Sequence, residues 1–415
     1  MTSYIFFLKK VSCRLVDSEL LTSVVGICSI LSSQQAKSAL FSFYIERVRL
    51  YRFLNTIGSM ALSLPAVRGG VAPWLALCVA CVAALGAAWM TQRRRRQQPP
   101  RKWKSVGKLS AITIYPLKSG RGISLKEADC TERGIAEPAS ARDGVFRLRD
   151  RTLIVYDPNN GMFITGRKIP RILLIEVKAE GPNSVVFSTP EGDTLKVELP
   201  QDKSNLKEVT MWKQEKLWTV DCGDEAAAWF SNQLTKKPSG LRLGYDLDNK
   251  VGLRTVDVGP LEIYKKVYPM LTSKDMGMYT DFSSYMLMTE SSLEDLREKV
   301  PAEVAPSLTI RQFRPTFVVS GTAPYEEDNW GWIRIGENVI LKDVKPCTRC
   351  VMTTVHPDTV KKFDDLEPLR TLRKYRKVTK KSELAIEGEA PVLGRYLGLH
   401  QGGSVKIGDE IFVPA

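Results

Sequence analysis

Residues 345–360 read KPCTRCVMTTVHPDTV: two cysteines separated by Thr348 and Arg349, with a β-branched run close behind. A thiolate is a soft ligand for a redox metal, and a neighbouring guanidinium both favours the thiolate and recruits an anion. Val351–Val355 has the residue types of a strand. The stretch therefore predicts an anion-bearing metal or redox site at a strand entrance. Three plainer explanations compete with it. A structural zinc site needs four ligands and the cysteine pair supplies two. The chain has only His356 and His400 as imidazoles, and Cys130 and Cys222 are remote in sequence. A thioredoxin-type dithiol wants a helix after its pair rather than a strand. The third alternative is two buried, inert thiols.

Working outward, other blocks carry anion-binding chemistry. Tyr115–Gly122 reads YPLKSGRG and ends a strand-like run, Ala111–Tyr115. Lys118 offers a cation, Ser119 a hydroxyl, and Gly120 and Gly122 would let the backbone approach an anion closely; the alternative is an ordinary basic turn. Phe313–Thr316 reads FRPT, and the fork of Arg314 suits a phosphate or a ring carbonyl better than a lysine would. Thr348 and Arg349 offer donors around the cysteine sulfur.

These blocks together carry a resemblance. Cys-x-Arg-Cys followed by Thr-Thr-Val-x-Pro-Asp is similar to the molybdenum-cofactor segment of MOSC-domain proteins, and residues 105–415 resemble one branch of them, the membrane-anchored mitochondrial amidoxime-reducing components. The resemblance implies a Mo-molybdopterin cofactor with Cys350 as the single protein thiolate on molybdenum, and Cys347 either supporting it or dispensable. It implies that Lys118 and Ser119 hold the cofactor phosphate and that Arg151, in Leu148–Thr152 (LRDRT), faces it too. Arg167 resembles a family arginine but reads equally as a surface residue. Asp281-Phe-Ser-Ser284 resembles a polar loop touching the pterin, so Asp281 and Ser283 carry over, with Asp281 also a candidate catalytic group; Phe282 departs from the pattern. Arg314 carries over, Thr316 replaces an amide, and Tyr396 resembles a cofactor-facing tyrosine. The implied activity is reduction of amidoximes, hydroxamic acids and hydroxylamines. Electrons would come from cytochrome b5 and its NADH-dependent reductase. The alternative is a molybdopterin carrier or sulfur-transfer module without turnover; a third is a tethered adaptor with a dead site.

The rest of the chain sets the frame. Its 415 residues, 43% hydrophobic, can bury one large or two modest cores. A net charge of +14 would suit nucleic acid, but the densest basic run, Arg93–Arg96, directly follows the uncharged apolar run Val71–Met90. No aromatic-interleaved basic stripe or zinc-finger spacing supports nucleic-acid binding. A run of about 20 apolar residues is one bilayer-spanning helix, and the positive-inside rule leaves the large domain in the cytosol; the resemblance implies the mitochondrial outer membrane. Residues 1–70 read as an N-terminal extension, in which Met60 is an alternative start, and 91–104 as a basic linker. Eight scattered cysteines point to a reducing compartment.

Many short strands with few helices predict an α+β, β-barrel-rich fold. An N-terminal β-rich domain over 105–235 would precede the MOSC domain over 236–415. Arg171–Val177 reads as a buried strand, and Ser184–Phe187 with Thr194–Leu199 as a hairpin. Asp224 reads as the cap of a helix over Glu225–Leu234, and Ser291–Glu294 as a capping box. Gly402–Pro414 reads as a closing hairpin, and the acidic residues of Ala323–Trp330 as solvated surface able to dock a basic partner.

Overall fold

The computed structural model describes residues 97–140, 144–247 and 254–415. The predicted extension and the apolar run Val71–Met90 lie outside these residues. Among the described residues no helix is long and apolar enough to cross a membrane.

The fold is built around a first strand, β1 (Trp103–Ile114), that is bonded on both edges. The N-terminal part continues with β2 (Ile123–Leu125), β3 (Glu127–Thr131), β4 (Gly134–Ala136), β5 (Leu153–Tyr156) and β6 (Glu176–Ala179). Then come β7 (Ser184–Ser188), β8 (Thr194–Glu198), β9 (Leu206–Thr210), β10 (Lys216–Asp221), helix α1 (Asp224–Thr235) and β11 (Arg242–Tyr245). The C-terminal part runs α2 (Glu262–Val267), β12 (Tyr285–Thr289), α3 (Glu290–Lys299), β13 (Phe317–Ser320), β14 (Trp332–Ile335) and β15 (Val339–Thr348). It ends with α4 (Leu369–Tyr375), α5 (Lys381–Glu387), β16 (Val392–Gln401), β17 (Gly403–Lys406) and β18 (Glu410–Pro414).

The largest sheet has eight strands in the order β13-β12-β16-β15-β14-β18-β1-β2, and an added β13–β1 pairing closes it into a barrel. Closure needs the strand to bend, and two irregularities supply the bend: β1 shifts register between Ser105 and Gly107 against β18, and between Leu109 and Ala111 against β13. A Cβ on Gly107 would lie 2.2 Å from the Ser320 carbonyl, so only glycine lets β13 come this close. The second shift changes which side chains face inward, from Leu109 to Ile112 and Ile114, all buried. These pack with Leu341, Leu397 and the stacked rings of Tyr285 and Phe317, 5.8 Å apart. Each such side chain removed from water contributes about 1.5–3 kcal/mol.

Smaller sheets of β5-β11-β10-β9, β17-β3-β4 and β6-β7-β8 complete the fold. The predicted hairpin is present as β7 and β8, paired from Ser184↔Glu198 to Ser188↔Thr194.

Other local expectations need correction. Arg171–Val177 is not one strand: Pro170, whose fixed φ suits a helical first turn, opens a 3-10 turn over Pro170–Leu174, and the strand starts only at Glu176. Helix α1 is not capped by the Asp224 side chain. Gly223, at φ 93°, is the cap residue, and Asp224 turns to Arg242 at 2.9 Å. At α3 the capping oxygen belongs to Thr289, which accepts from Ser292 N, while Glu294 pairs with Arg297. Gly402–Pro414 is no hairpin, because β17 pairs with β3 whereas β18 pairs with β1 and β14. Two of the three acidic residues of 323–330 are not free surface. Glu327 is fully buried and accepts from Thr289 and Ser292 hydroxyls at 3.0 Å, and Asp328 accepts from Arg376 at 2.6 Å.

One buried ion pair fixes the loop that later carries Asp281. Arg254 donates from Nε and Nη2 to the two oxygens of Glu215 (2.9 and 2.7 Å) and from Nη1 to the carbonyls of Gly277 and Thr280 (both 2.8 Å). Removing one partner strands the other in the interior. Arg254→Met should therefore cost about 3–5 kcal/mol in denaturant unfolding, with Arg254→Met/Glu215→Met losing less than the single variant. A single variant as stable as wild type would show the pair to be energetically idle.

Candidate functional site

Strand β15 delivers the two cysteines. Pro346 sits in it beside register shifts at Asp343/Lys345 and Pro346/Thr348, where a missing N–H is tolerated. The strand ends at Thr348, and Val351–Thr354 is a single 3-10 turn rather than the strand its β-branched residues predict. The hydroxyls explain this. Thr353 Oγ1 donates to Cys350 O (2.9 Å) and Thr354 Oγ1 to Val351 O (2.8 Å), bonds that compete with a strand ladder. Cys350 thus lies at a strand exit, not an entrance. Cys347 is 2% exposed in an apolar cluster with Met286, Phe313 and Leu393, whereas Cys350 is half-buried.

A cleft enclosing about 830 Å³ of empty space, mouth included, opens beside Cys350. The structure brings to it Lys118, Ser119, Arg151, Asp281, Ser283, Arg314, Thr316, Thr348, Arg349, Cys350 and Tyr396, with the buried Cys347 at its wall. Three of these stand in the left-handed region although none is glycine: Ser119 (φ 64°), Arg151 (φ 51°) and Arg314 (φ 55°). Such conformations cost on the order of 1–3 kcal/mol each and persist where the surroundings force them, typically at ligand sites. Gly120 and Gly122 have a different task from the one predicted. A Cβ on Gly120 would lie 2.8 Å from Leu117, and one on Gly122 would lie 2.6 Å from the Tyr115 ring, so both make room for packing.

Tyr115 is the platform of the cationic wall. Its backbone N–H donates to Asp150 (2.8 Å), Asp150 pairs with Arg151, and the guanidinium carbons of Arg151 and Arg314 lie 4.8 and 4.1 Å from its ring centre. Arg314 Nη1 donates to Gly120 O (2.8 Å), and its buried Nη2 has no partner. Burial, reinforced by Arg151, lowers the Arg314 pKa to about 10. A buried donor left unsatisfied beside another guanidinium, that of Arg151, is what a place prepared for an anion looks like.

Lys118 Nζ donates to Asp281 Oδ1 (2.6 Å) and Tyr279 O (2.8 Å), and Trp212 Nε1 donates to the same Asp281 oxygen (2.8 Å). Burial brings the Lys118 pKa down to about 8 against the pull of Asp281. Crowding by the cleft walls disfavours charge on Asp281, but Lys118 and Trp212 outweigh it and hold the carboxyl well below its usual range. With its side chain 58% exposed, Asp281 feels this pairing through solvent, so the pair adds little stability. Burial raises the Cys350 thiol, and the nearby Arg167 charge works against that.

Arg349 needs a correction. Its guanidinium donates to Leu393 O (2.8 Å) and Phe313 O (2.8 Å), so it braces the cleft wall instead of offering its fork to a ligand. Phe282 points out of the cleft into the rings of Tyr264 and Tyr396, 4.9 and 5.7 Å away, and so leaves the polar loop's other contacts intact. Arg167 is not on the open surface but lines the cleft, 3.9 Å above the Trp212 ring. Trp212 itself escaped sequence reasoning. It sits on an irregular turn held by left-handed Lys213 and Gln214, which no spacing rule marks.

Residues 106–237 match the MOSC N-terminal beta barrel domain and residues 275–412 the MOSC domain. The chain is 33% identical to mitochondrial amidoxime-reducing component 1 of Mus musculus, over 82% of this chain and 92% of that protein. It is 34% identical to mitochondrial amidoxime reducing component 2 of Macaca fascicularis over 82% and 93%, and 33% identical to that of Homo sapiens over 86% and 92%. With both domains matched and nearly the whole length of these relatives covered, the chain belongs to the MOSC-domain family of mitochondrial amidoxime-reducing components.

Proposed function

We propose that the chain is a molybdenum-cofactor-dependent reductase of N-hydroxylated compounds: amidoximes, hydroxamic acids and hydroxylamines. The observation that carries this is the pairing, in one cleft, of a half-open thiol at Cys350 with a cationic wall whose Arg314 Nη2 lacks a partner. A molybdopterin has the matching polarity, a phosphate at one end and a thiolate-seeking metal at the other. When bound, this group supplies the two-electron chemistry that breaks an N–O bond.

The chain's own residues do the rest. Lys118, Ser119, Arg151 and Arg314 would hold the phosphate, and the unpartnered Nη2 of Arg314 is the donor left over for it. Ser283, Thr316 and Tyr396 line the floor beside the pterin; Thr316 Oγ1 already accepts from Met286 N (3.2 Å), so its hydroxyl is oriented. Cys350 would hold the metal; burial raises its thiol and the Arg167 charge works against that. Asp281, ionised at neutral pH, accepts an N–H of the substrate and orients the N-hydroxyl group. Thr348 and Arg349 keep the Cys350 loop in place.

Electrons come from cytochrome b5 and its NADH-dependent reductase. The names of the relatives support a mitochondrial setting. An anchor over 71–90 in the outer membrane, with the domains over 105–235 and 236–415 in the cytosol, would concentrate the three proteins on one surface.

Cys350→Ala should abolish N-reduction in an assay reconstituted with the cytochrome partner while leaving the melting temperature unchanged. Full activity in that variant, or a wild-type protein that binds molybdopterin without turnover, would move the assignment to a cofactor carrier. A second expectation concerns pH. Lys118 loses its charge as pH rises past about 8, so the cofactor-free protein should bind pyrophosphate more weakly above that pH by calorimetry. Lys118→Met should bind weakly throughout; an affinity that is flat between about pH 7 and 9 in wild type would contradict the role of Lys118.

A further inference from the structure

Beneath the cleft floor lies a charge pair that the reading above does not use. Lys345 is 2% exposed, and its Nζ lies 5.0–5.8 Å from the ring centres of Phe282, Tyr396, Tyr268 and Tyr264. It donates to Pro346 O (2.8 Å) and pairs at 3.0 Å with Glu387 Oε1, whose side chain is 4% exposed. Tyr268 OH donates to the same oxygen (3.1 Å), and Thr348 Oγ1 donates to Glu387 Oε2 (3.4 Å). Thr348 and Tyr396 line the cleft; Lys345 and Glu387 stand behind them.

We propose that Lys345 and Glu387 share a mobile proton and deliver it to the cleft through Thr348, an inference that rests on the reductase reading. Burying two opposite charges costs several kcal/mol per ion, and an apolar pair would hold the same ground more cheaply. The reaction shows what such a pair is for. In R–NHOH + 2 e⁻ + 2 H⁺ → R–NH₂ + H₂O the N–O bond breaks, nitrogen and oxygen each gain a proton, and the electrons come from the reduced haem donor by way of the cofactor. The ionised Asp281 has no proton to give at neutral pH, and Lys118 is tied to Asp281 and Tyr279.

Lys345 can give. Burial lowers its pKa and Glu387 only partly restores it. The proton passes from Nζ to Glu387 Oε1, a half-turn of the carboxyl group carries that O–H round to Thr348 Oγ1, and the proton Thr348 already holds turns into the cleft as Oγ1 takes the new one. Glu387 ends α5 and is followed by the exposed Gly388, so solvent that recharges the pair is one residue away. The surrounding groups are accounted for. The phenols of Tyr264, Tyr268 and Tyr396 are pushed up by burial and stay neutral, and Cys347 lies on the cleft side. Lys213 caps the far face of Tyr264 (4.4 Å), while Glu383 and Arg395 are engaged by Lys380 and Asp343.

The rival explanation is that Glu387 merely pins α5, and glutamine, which keeps the hydrogen bonds but not the proton, separates the two. In the full holoenzyme with a saturating electron donor, Glu387→Gln should keep its molybdenum and pterin content and hold KM within about twofold. Its kcat should fall about 10²-fold, and the pH dependence of kcat should change shape. Glu387→Asp should recover part of the loss, and Thr348→Val should match Glu387→Gln, with the double variant no worse than either. Infrared difference spectra of wild type should contain a protonated-carboxyl band that is missing from Glu387→Gln. An active wild type beside a Glu387→Gln with unchanged kcat and pH profile overturns the relay, as does a Glu387→Gln that loses molybdenum or melts early. If wild type itself reduces no N-hydroxyl compound, the reductase reading fails, and the infrared band still decides whether the pair shares a proton.

Discussion

Closure of the barrel by β1 is the constraint on which the site depends. The strand spends its first half on β18 and its second on β13, so its end is locked beside β12 and β13. The turn that follows, carrying Lys118 and Ser119, is thereby held against loops that occur more than 160 residues later, as the Lys118–Asp281 bond shows. Only β1 spans that distance within the sheet. The close approach at Gly107 lets β1 take its place between β18 and β13, which brings the cationic wall to the cysteine strand.

The cleft is electrostatically lopsided, and the fold supports this at a price in local strain. Lys118, Arg151, Arg167, Arg314 and Arg349 line it against the carboxylate of Asp281. Repulsion among them is managed in distinct ways. Arg151 has Asp150, Arg349 has carbonyls, and Arg167 lies over Trp212. Arg314 is left with a buried, unpaired Nη2 and a depressed pKa. A buried, unpaired donor and left-handed backbone at the same residue are the features the proposed anion would offset.

Much of this was legible from residue type, because charge and thiol chemistry are local properties. Lys118, Arg314 and the Cys347/Cys350 pair carry visible anion- or metal-binding chemistry, whereas Arg151 and the choice of Cys350 came only from the family resemblance; the cleft gathers all of them. What stayed hidden depended on partners distant in sequence. Trp212 matters only because it meets Asp281 and Arg167. Glu327 looked like surface because nothing nearby shows that Thr289 and Ser292 receive it in the interior. Val351–Thr354 looked like a strand because β-branching was weighed without the hydroxyls' ability to bond three residues back. Pro170 was the one visible warning against a strand over 171–177.

The same distinction bears on which cysteine the proposed metal would take. Spacing alone leaves Cys347 and Cys350 equivalent. The structure separates them by three residues of backbone. Cys347 is still in β15, where the pleat points it at Met286 and Leu393 and closes it from solvent. Cys350 is past the last ladder bond, its backbone extended at φ −128°, and its sulfur shares the cleft with Arg167. A thiol that must lose its proton on binding a metal needs an opposing positive charge and an open path. Cys350 has both. Cys347 has apolar neighbours and the Tyr396 phenol, which suit a thiol that packs the wall without binding the metal.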